Sequence, residues 1–185
     1  MTAECLKTLV RRLSGLSGIF QSFEHISTEY ATINLLNAWS EYCGDLLVYS
    51  YNGGFITTTG TPVAPRPPKS KEQIAQELRA RFGRGRGSWH PSWHSPDQFR
   101  NFARHLSLQN QRELVAAMGS NINPVVDVRV LRNFFAHKGQ NTYQQVCDKF
   151  GPVKPVQYVQ DYIGAARRWE NWIFNFSTTA VATLE

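Results

Sequence analysis

Apolar residues over the first fifty positions recur every three or four residues. Leu6, Leu9, Val10, Leu13, Leu16, Ile19, Phe20 and Phe23 keep that spacing over residues 3–24, the period of an amphipathic helix. Ile33, Leu36, Trp39, Cys43 and Leu47 repeat it over 28–49, and Gly53-Gly54 supplies the stop. The period then lapses, and residues 53–69, rich in Pro, Gly and Thr, read as a long loop. Ser70-Lys71-Glu72-Gln73 is a capping box that opens a short helix to about Phe82. Ser95-Pro96-Asp97-Gln98 is another, with Pro at the first helical position, and predicts a helix through "RNFARH" at 100–105. A further helix is expected over 109–118, stopping at Gly119. Asn123-Pro124 predicts the cap and first turn of a helix over 125–138, closed by Gly139. The closing helix is expected over 156–176, with Val159, Tyr162, Ile163, Ala166, Trp169, Trp172 and Ile173 facing inward. No alternating pattern competes. The fold class is therefore all-α, an antiparallel helical bundle forming one domain over 1–185, with residues 53–120 as a basic insertion between its halves.

Composition fits that picture. The chain is 42% apolar and 18% charged, as a globular protein should be. No run of eighteen apolar residues exists, so no membrane partner is expected. Arg11 and Arg12 interrupt the N-terminal apolar pattern, which argues against a secretory signal. Cys5, Cys43 and Cys147 are odd in number and form no C-x-x-C pair; they read as reduced thiols of a cytoplasmic protein.

Charge changes the picture more. The formal net charge is +6, and residues 66–104 hold nine Arg or Lys against three acidic residues. Elsewhere the two signs balance at eleven each. A segment of this kind attracts polyanions, and phosphate backbones are the commonest in a cytoplasm. Inside it, Arg84 and Arg86 are followed by Trp89 and Trp93 on a Gly-rich stretch, an interleaving that can hold phosphates and stack unpaired bases. The alternative is that both Trp rings pin the loop to the bundle. Arg100 and Arg104 extend the cationic face along the next helix. His90 and His94 have an H-x3-H spacing, but Pro91 breaks the helix that would align them, so no metal site or other cofactor is expected.

"RNFFAH" at 132–137 echoes "RNFARH" at 100–105. Around the first, Val125, Val128, Leu131 and Phe135 form one stripe, expected to pack on the closing helix. Val126, Val130, Asn133 and His137 form another, which calls for a second neighbour, either a helix of the same bundle or a second subunit. Arg132 and His137 stand about 140° apart in azimuth and about 7.5 Å apart in rise, so they do not meet by helical stacking.

"LRNFFAHKG", near the end of a helix and followed by a loop and one long final helix, resembles the R-x4-H motif of the HEPN superfamily. The opening helices, including "NAWSEYCGDLL", are similar in order and length, so the resemblance covers residues 3–50 and 120–176. It implies a small all-α, homodimeric, metal-independent endoribonuclease of a toxin or phage-defence kind. Arg132, Asn133 and His137 would form its active site, RNA its substrate, and an antitoxin or regulatory protein its further partner. "RNFARH" departs from the family pattern because Arg104 precedes its histidine and it lies far from the final helix; it is expected to be a cationic helix face. The chemistry suits the residues. RNA carries its own nucleophile, the 2′-hydroxyl, so an enzyme needs a proton acceptor that titrates near neutrality and a planar cation for the phosphate oxygens. Products would end in a 2′,3′-cyclic phosphate. The competing expectation is a non-catalytic HEPN-like module that binds RNA, a nucleotide or a protein.

Overall fold

The computed structural model describes residues 2–21, 25–53, 64, 66–83, 89–119, 122–151 and 168–182. These form an antiparallel helical bundle with eight helices and no strand among the described residues. In chain order they are α1 (Thr2–Gln21), α2 (His25–Asn52), α3 (Lys71–Phe82), α4 (Pro96–His105), α5 (Gln111–Gly119), α6 (Ile122–His137), α7 (Gln140–Phe150) and α8 (Arg168–Ala182).

α2 is the axis of the bundle. Leu36, Trp39, Cys43 and Leu47 are buried as the period predicts, but so are Ala31, Leu35, Tyr42 and Leu46 on another side. A helix apolar on several faces belongs in the interior, and α2 meets α1, α3 and α6. α1 contributes Leu9, Leu13, Leu16 and Phe20, while Val10 stays exposed. The Phe20 ring stacks on Trp169 of α8 at 5.6 Å, and Trp39 stacks on Phe176 at 4.7 Å. The Tyr42 hydroxyl donates to the Ala180 carbonyl at 3.0 Å, closing α2 onto α8.

Residues of the basic segment share this core. Ile74, Leu78, Phe99, Phe102, Leu106, Leu108, Leu114 and Met118 are all buried in the same cluster. The box predicted at Ser70 forms in full, whereas at Ser95 only the serine half forms, because the Gln98 side chain accepts from Ser92 N instead of Ser95 N. The Ser70 hydroxyl accepts from Gln73 N at 3.3 Å while Gln73 Oε1 accepts from Ser70 N at 2.7 Å. Ser95 Oγ likewise accepts from Gln98 N.

Three expectations need correction. α7 was expected as loop, yet "QNTYQQVCDKF" forms a helix that packs on α6. Gly139 does not close α6. The positive φ of 45° falls on Lys138, whose N–H donates to Phe134 O at 2.7 Å, and Gly139 is extended at the head of α7. Thr142 completes that junction, its hydroxyl accepting from Gly139 N at 3.2 Å and donating to Gly139 O at 2.8 Å. Finally, α6 begins at Ile122, which puts Asn123 and Pro124 in its first turn; Pro is tolerated there because first-turn N–H groups have no helical acceptor. The closing helix carries Trp169 and Trp172 inward as expected, leaves Ile173 only partly buried, adds Phe176 to the core and continues to Ala182. Val159, Tyr162, Ile163 and Ala166 lie outside the described residues.

Candidate active site

α6 carries the candidate residues, and its packing decides what each can do. Val125, Val128, Leu131 and Phe135 are buried, on a helix that meets α2 and, as expected, the described part of the closing helix, α8. α7 covers the flank of Asp127 and Phe134: Lys149 pairs with Asp127 at 3.3 Å, and the Phe134 and Tyr143 rings lie 6.1 Å apart. Lys138 Nζ meets Glu29 Oε2 at 3.1 Å and fastens the end of α6 to α2.

The strip between these contacts stays more open. Val126 and Asn133 are half-buried and His137 is exposed, so α7 occupies a flank beside the second stripe rather than the stripe itself. Val130 is the exception, buried at 8% exposure. Asn133 Oδ1 accepts from Arg132 Nη1 at 3.3 Å, which restrains a half-buried guanidinium at the rim of the strip. The His137 side chain makes no hydrogen bond or ion pair with another described residue. Within one chain, the helix keeps Arg132 and His137 on different sides, as the roughly 140° between them requires.

A histidine that the motif does not contain feels the charge of Arg132 instead. His94 stands half-buried between Trp93 and the Ser95 cap of α4. Burial first, then the positive charges of Arg129 and Arg132, push its imidazole down to about 4, so it is neutral at physiological pH. Trp93 sets this position by packing against α2 at Gly44, where a β-carbon would lie 3.3 Å from its ring and 2.7 Å from Lys71 Cε. Neither Arg129 nor the burial of His94 was evident in the sequence. The i, i+3 spacing of Arg129 and Arg132 was the available signal for the first; nothing local announces the second.

This predicts a pH dependence of stability. The folded protein keeps His94 neutral down to about pH 4, whereas an unfolded chain takes up the proton near its ordinary 6.5. The unfolded state therefore binds more protons between those values, and stability falls as pH drops through that window. The loss should reach the order of 3 kcal/mol once His94 is fully protonated. Urea unfolding followed across the window should show a shallower decline in His94→Asn; an identical decline in both proteins refutes the assignment.

The other candidates divide. The edges of Trp89 and Trp93 both meet Phe102, at 6.3 and 5.8 Å between centroids, contacts of a loop pinned to the bundle. Arg100 sits 3.8 Å from Asp97, and Arg104 is exposed. Arg84 and Arg86 lie outside the described residues. In the echo stretch, Phe102 and Ala103 are buried, and His105 is 3.6 Å from Glu77 and edge-on to Phe82 at 5.6 Å. Several cations of the basic segment are internal ties: Arg66 donates to the Leu106 and Ser107 carbonyls at the end of α4, Lys69 pairs with Glu77 at 2.6 Å, and Lys71 with Asp45 at 2.7 Å. Among the described residues no group of three or more His, Cys, Asp or Glu is placed to hold a metal. No helix of the described residues is long and apolar enough to cross a membrane. Of the cysteines, Cys43 is fully buried and burial pushes its thiol well up, so it stays protonated.

Comparison of the chain with family models, with curated proteins and with solved structures gives no match.

Proposed function

We propose that this protein is a HEPN-type, metal-independent endoribonuclease, acting as a cytoplasmic toxin or phage-defence effector through Arg132, Asn133 and His137. One observation carries the reading: Asn133 holds the Arg132 guanidinium while His137, five residues on, is exposed at the helix end. In this reaction the 2′-hydroxyl of RNA attacks the adjacent phosphate, and the P–O bond to the next 5′-oxygen breaks. His137 takes the 2′ proton as general base, and the departing 5′-oxygen draws its proton from water. Arg132 gives two N–H donors to the phosphorane oxygens, where charge is greatest. Asn133 fixes the orientation of Arg132. Incubating the protein with total RNA in EDTA tests the reading; it predicts fragments with 2′,3′-cyclic phosphate and 5′-hydroxyl ends, and intact RNA refutes it.

The angle between Arg132 and His137 favours a site completed by a second copy. A two-fold axis along the open strip of Val126, Asn133 and His137 brings Arg132 of one copy toward His137 of the other. The protein is therefore expected to be a homodimer at micromolar concentration, with activity lost on dilution to the monomer. Light scattering that reports a fully active monomer excludes this arrangement. The same angle also favours the second reading, a non-catalytic HEPN-like module that binds RNA, a nucleotide or a partner protein such as an antitoxin. It predicts RNA retention without cleavage and indifference of RNA ends to His137.

A further inference from the structure

An open pocket of about 430 Å³ lies between α1 and α2, where Arg12, Gly15 and Leu16 face Tyr30, Asn34, Asn37 and Glu41. Steps of four, three and four residues put the last four on one face of α2. Glycine weakens a helix interior relative to alanine, yet a β-carbon at Gly15 would meet nothing within 4 Å. No neighbour requires the missing side chain; its absence keeps the pocket wide. Leu16 gives the pocket a buried apolar base, and the Tyr30 ring stands at its edge, 58% exposed. The amides on its walls are short of partners. Asn34 Nδ2 donates to Tyr30 O at 2.9 Å, which leaves its Oδ1 unengaged among the described residues, and the Asn37 side chain has no partner there at all. Arg12 pairs with Glu41 at the other end. The candidate active site is close by. Glu29, the residue before Tyr30, holds Lys138 Nζ at 3.1 Å, and Lys138 directly follows His137 at the end of α6.

We propose that this pocket receives an unpaired base of a single-stranded RNA whose backbone passes the His137 end of α6. A base is a flat apolar ring with donors and acceptors along its edge. Its face matches the exposed Tyr30 ring, and its edge matches the Asn37 amide and the Asn34 carbonyl oxygen. An aliphatic ligand would cover both amides and satisfy neither. A duplex keeps its bases stacked and out of reach. The volume falls within the range of about 300–1,000 Å³ usual for small-molecule sites, enough for a base and its sugar. The inference rests on the ribonuclease reading for the identity of the strand; the pocket itself stands on Gly15, Tyr30, Asn34 and Asn37.

The test measures binding of short single strands to the full-length protein. The strands are built on 2′-O-methylribose, whose blocked 2′-oxygen cannot attack the phosphate, so cleavage does not intervene. One strand carries 2-aminopurine bases and the other is abasic throughout. The base-bearing strand should bind about tenfold more tightly or better, the share of a single stacked base. Its fluorescence should fall as the ring stacks on Tyr30. Tyr30→Ala, at an exposed position, should lower that affinity about tenfold, restore the fluorescence and leave the abasic strand unaffected. Gly15→Leu fills the pocket from its wall. It should keep or raise the unfolding midpoint, because leucine favours a helix, while erasing the preference for bases. Equal binding of the two strands overturns the proposal, and so does a preference for bases that survives either substitution. Incubation with total RNA in EDTA separates the two readings. A protein that prefers the base-bearing strand but leaves RNA intact keeps the pocket and loses the ribonuclease reading; one that cleaves RNA without preferring bases does the reverse.

Discussion

His137→Ala should lower the rate of RNA cleavage by roughly 10²–10⁴-fold, the usual share of a positioned acid or base. The side chain is exposed, so its removal should leave the fold intact. Circular dichroism and the unfolding midpoint should therefore match the unaltered protein, and the loss should appear in the single-turnover rate. Arg132→Ala should cause comparable damage, because the charge it offsets is largest in the transition state. Arg132→Lys should not restore activity, since an ammonium cannot present two coplanar donors. Asn133→Ala should cost less, as it only frees a guanidinium now held at 3.3 Å. His105→Ala is the informative control. Its imidazole is engaged with Glu77 and the edge of Phe82, so the change should lower stability modestly and leave the rate per folded molecule nearly unaltered. If His105→Ala abolishes cleavage while His137→Ala is silent, the wrong stretch has been chosen.

What was legible in the sequence was whatever depends on neighbours along the chain. The box at Ser70 and the serine cap at Ser95 were readable because a cap is a contact over three residues. The Arg132–Asn133 pairing is a contact between adjacent residues. α7 escaped because Tyr143, Val146 and Phe150 are too few for a clear period, and because Gly139 reads as a stop as readily as a start. Nothing in the residue type announced that Lys138 would adopt the left-handed turn instead; its ion pair with Glu29 of α2 spans more than a hundred residues. Long-range contact likewise explains the basic segment. Composition counts Arg66, Lys69 and Lys71 as attraction for a polyanion, whereas the fold engages them with the end of α4, with Glu77 and with Asp45. His94 is the sharpest case. In the sequence it is half of a broken metal spacing, and only the fold buries it within reach of the charges of Arg129 and Arg132.

Phe102→Ala should destabilise the protein by about 3–5 kcal/mol, the range for deleting a buried aromatic ring. Phe102 is 1% exposed, and three rings converge on it: Phe82 at 5.5 Å, Trp89 at 6.3 Å and Trp93 at 5.8 Å. Two of these come from the loop between α3 and α4, so the cavity cannot close by a single side chain moving in; the loop itself must shift. The destabilisation should therefore fall toward the upper end of the range and bring a second, local effect. With Trp93 no longer braced, His94 should lose its burial and its proximity to the two guanidiniums. Its NMR titration midpoint should climb from about 4 toward the ordinary value. Chemical denaturation at neutral pH measures the first effect, and the histidine titration measures the second in the folded fraction. A loss below about 1 kcal/mol would mean the ring is not the pin of this loop. A large loss with His94 still near 4 would mean that Gly44 and α2 hold Trp93 unaided. Either way the phenylalanine of "RNFARH" is a packing residue, and the two look-alike stretches part company at their third position: Phe102 is sealed in the core, while Phe134 of "RNFFAH" lies only half-buried under Tyr143 of α7.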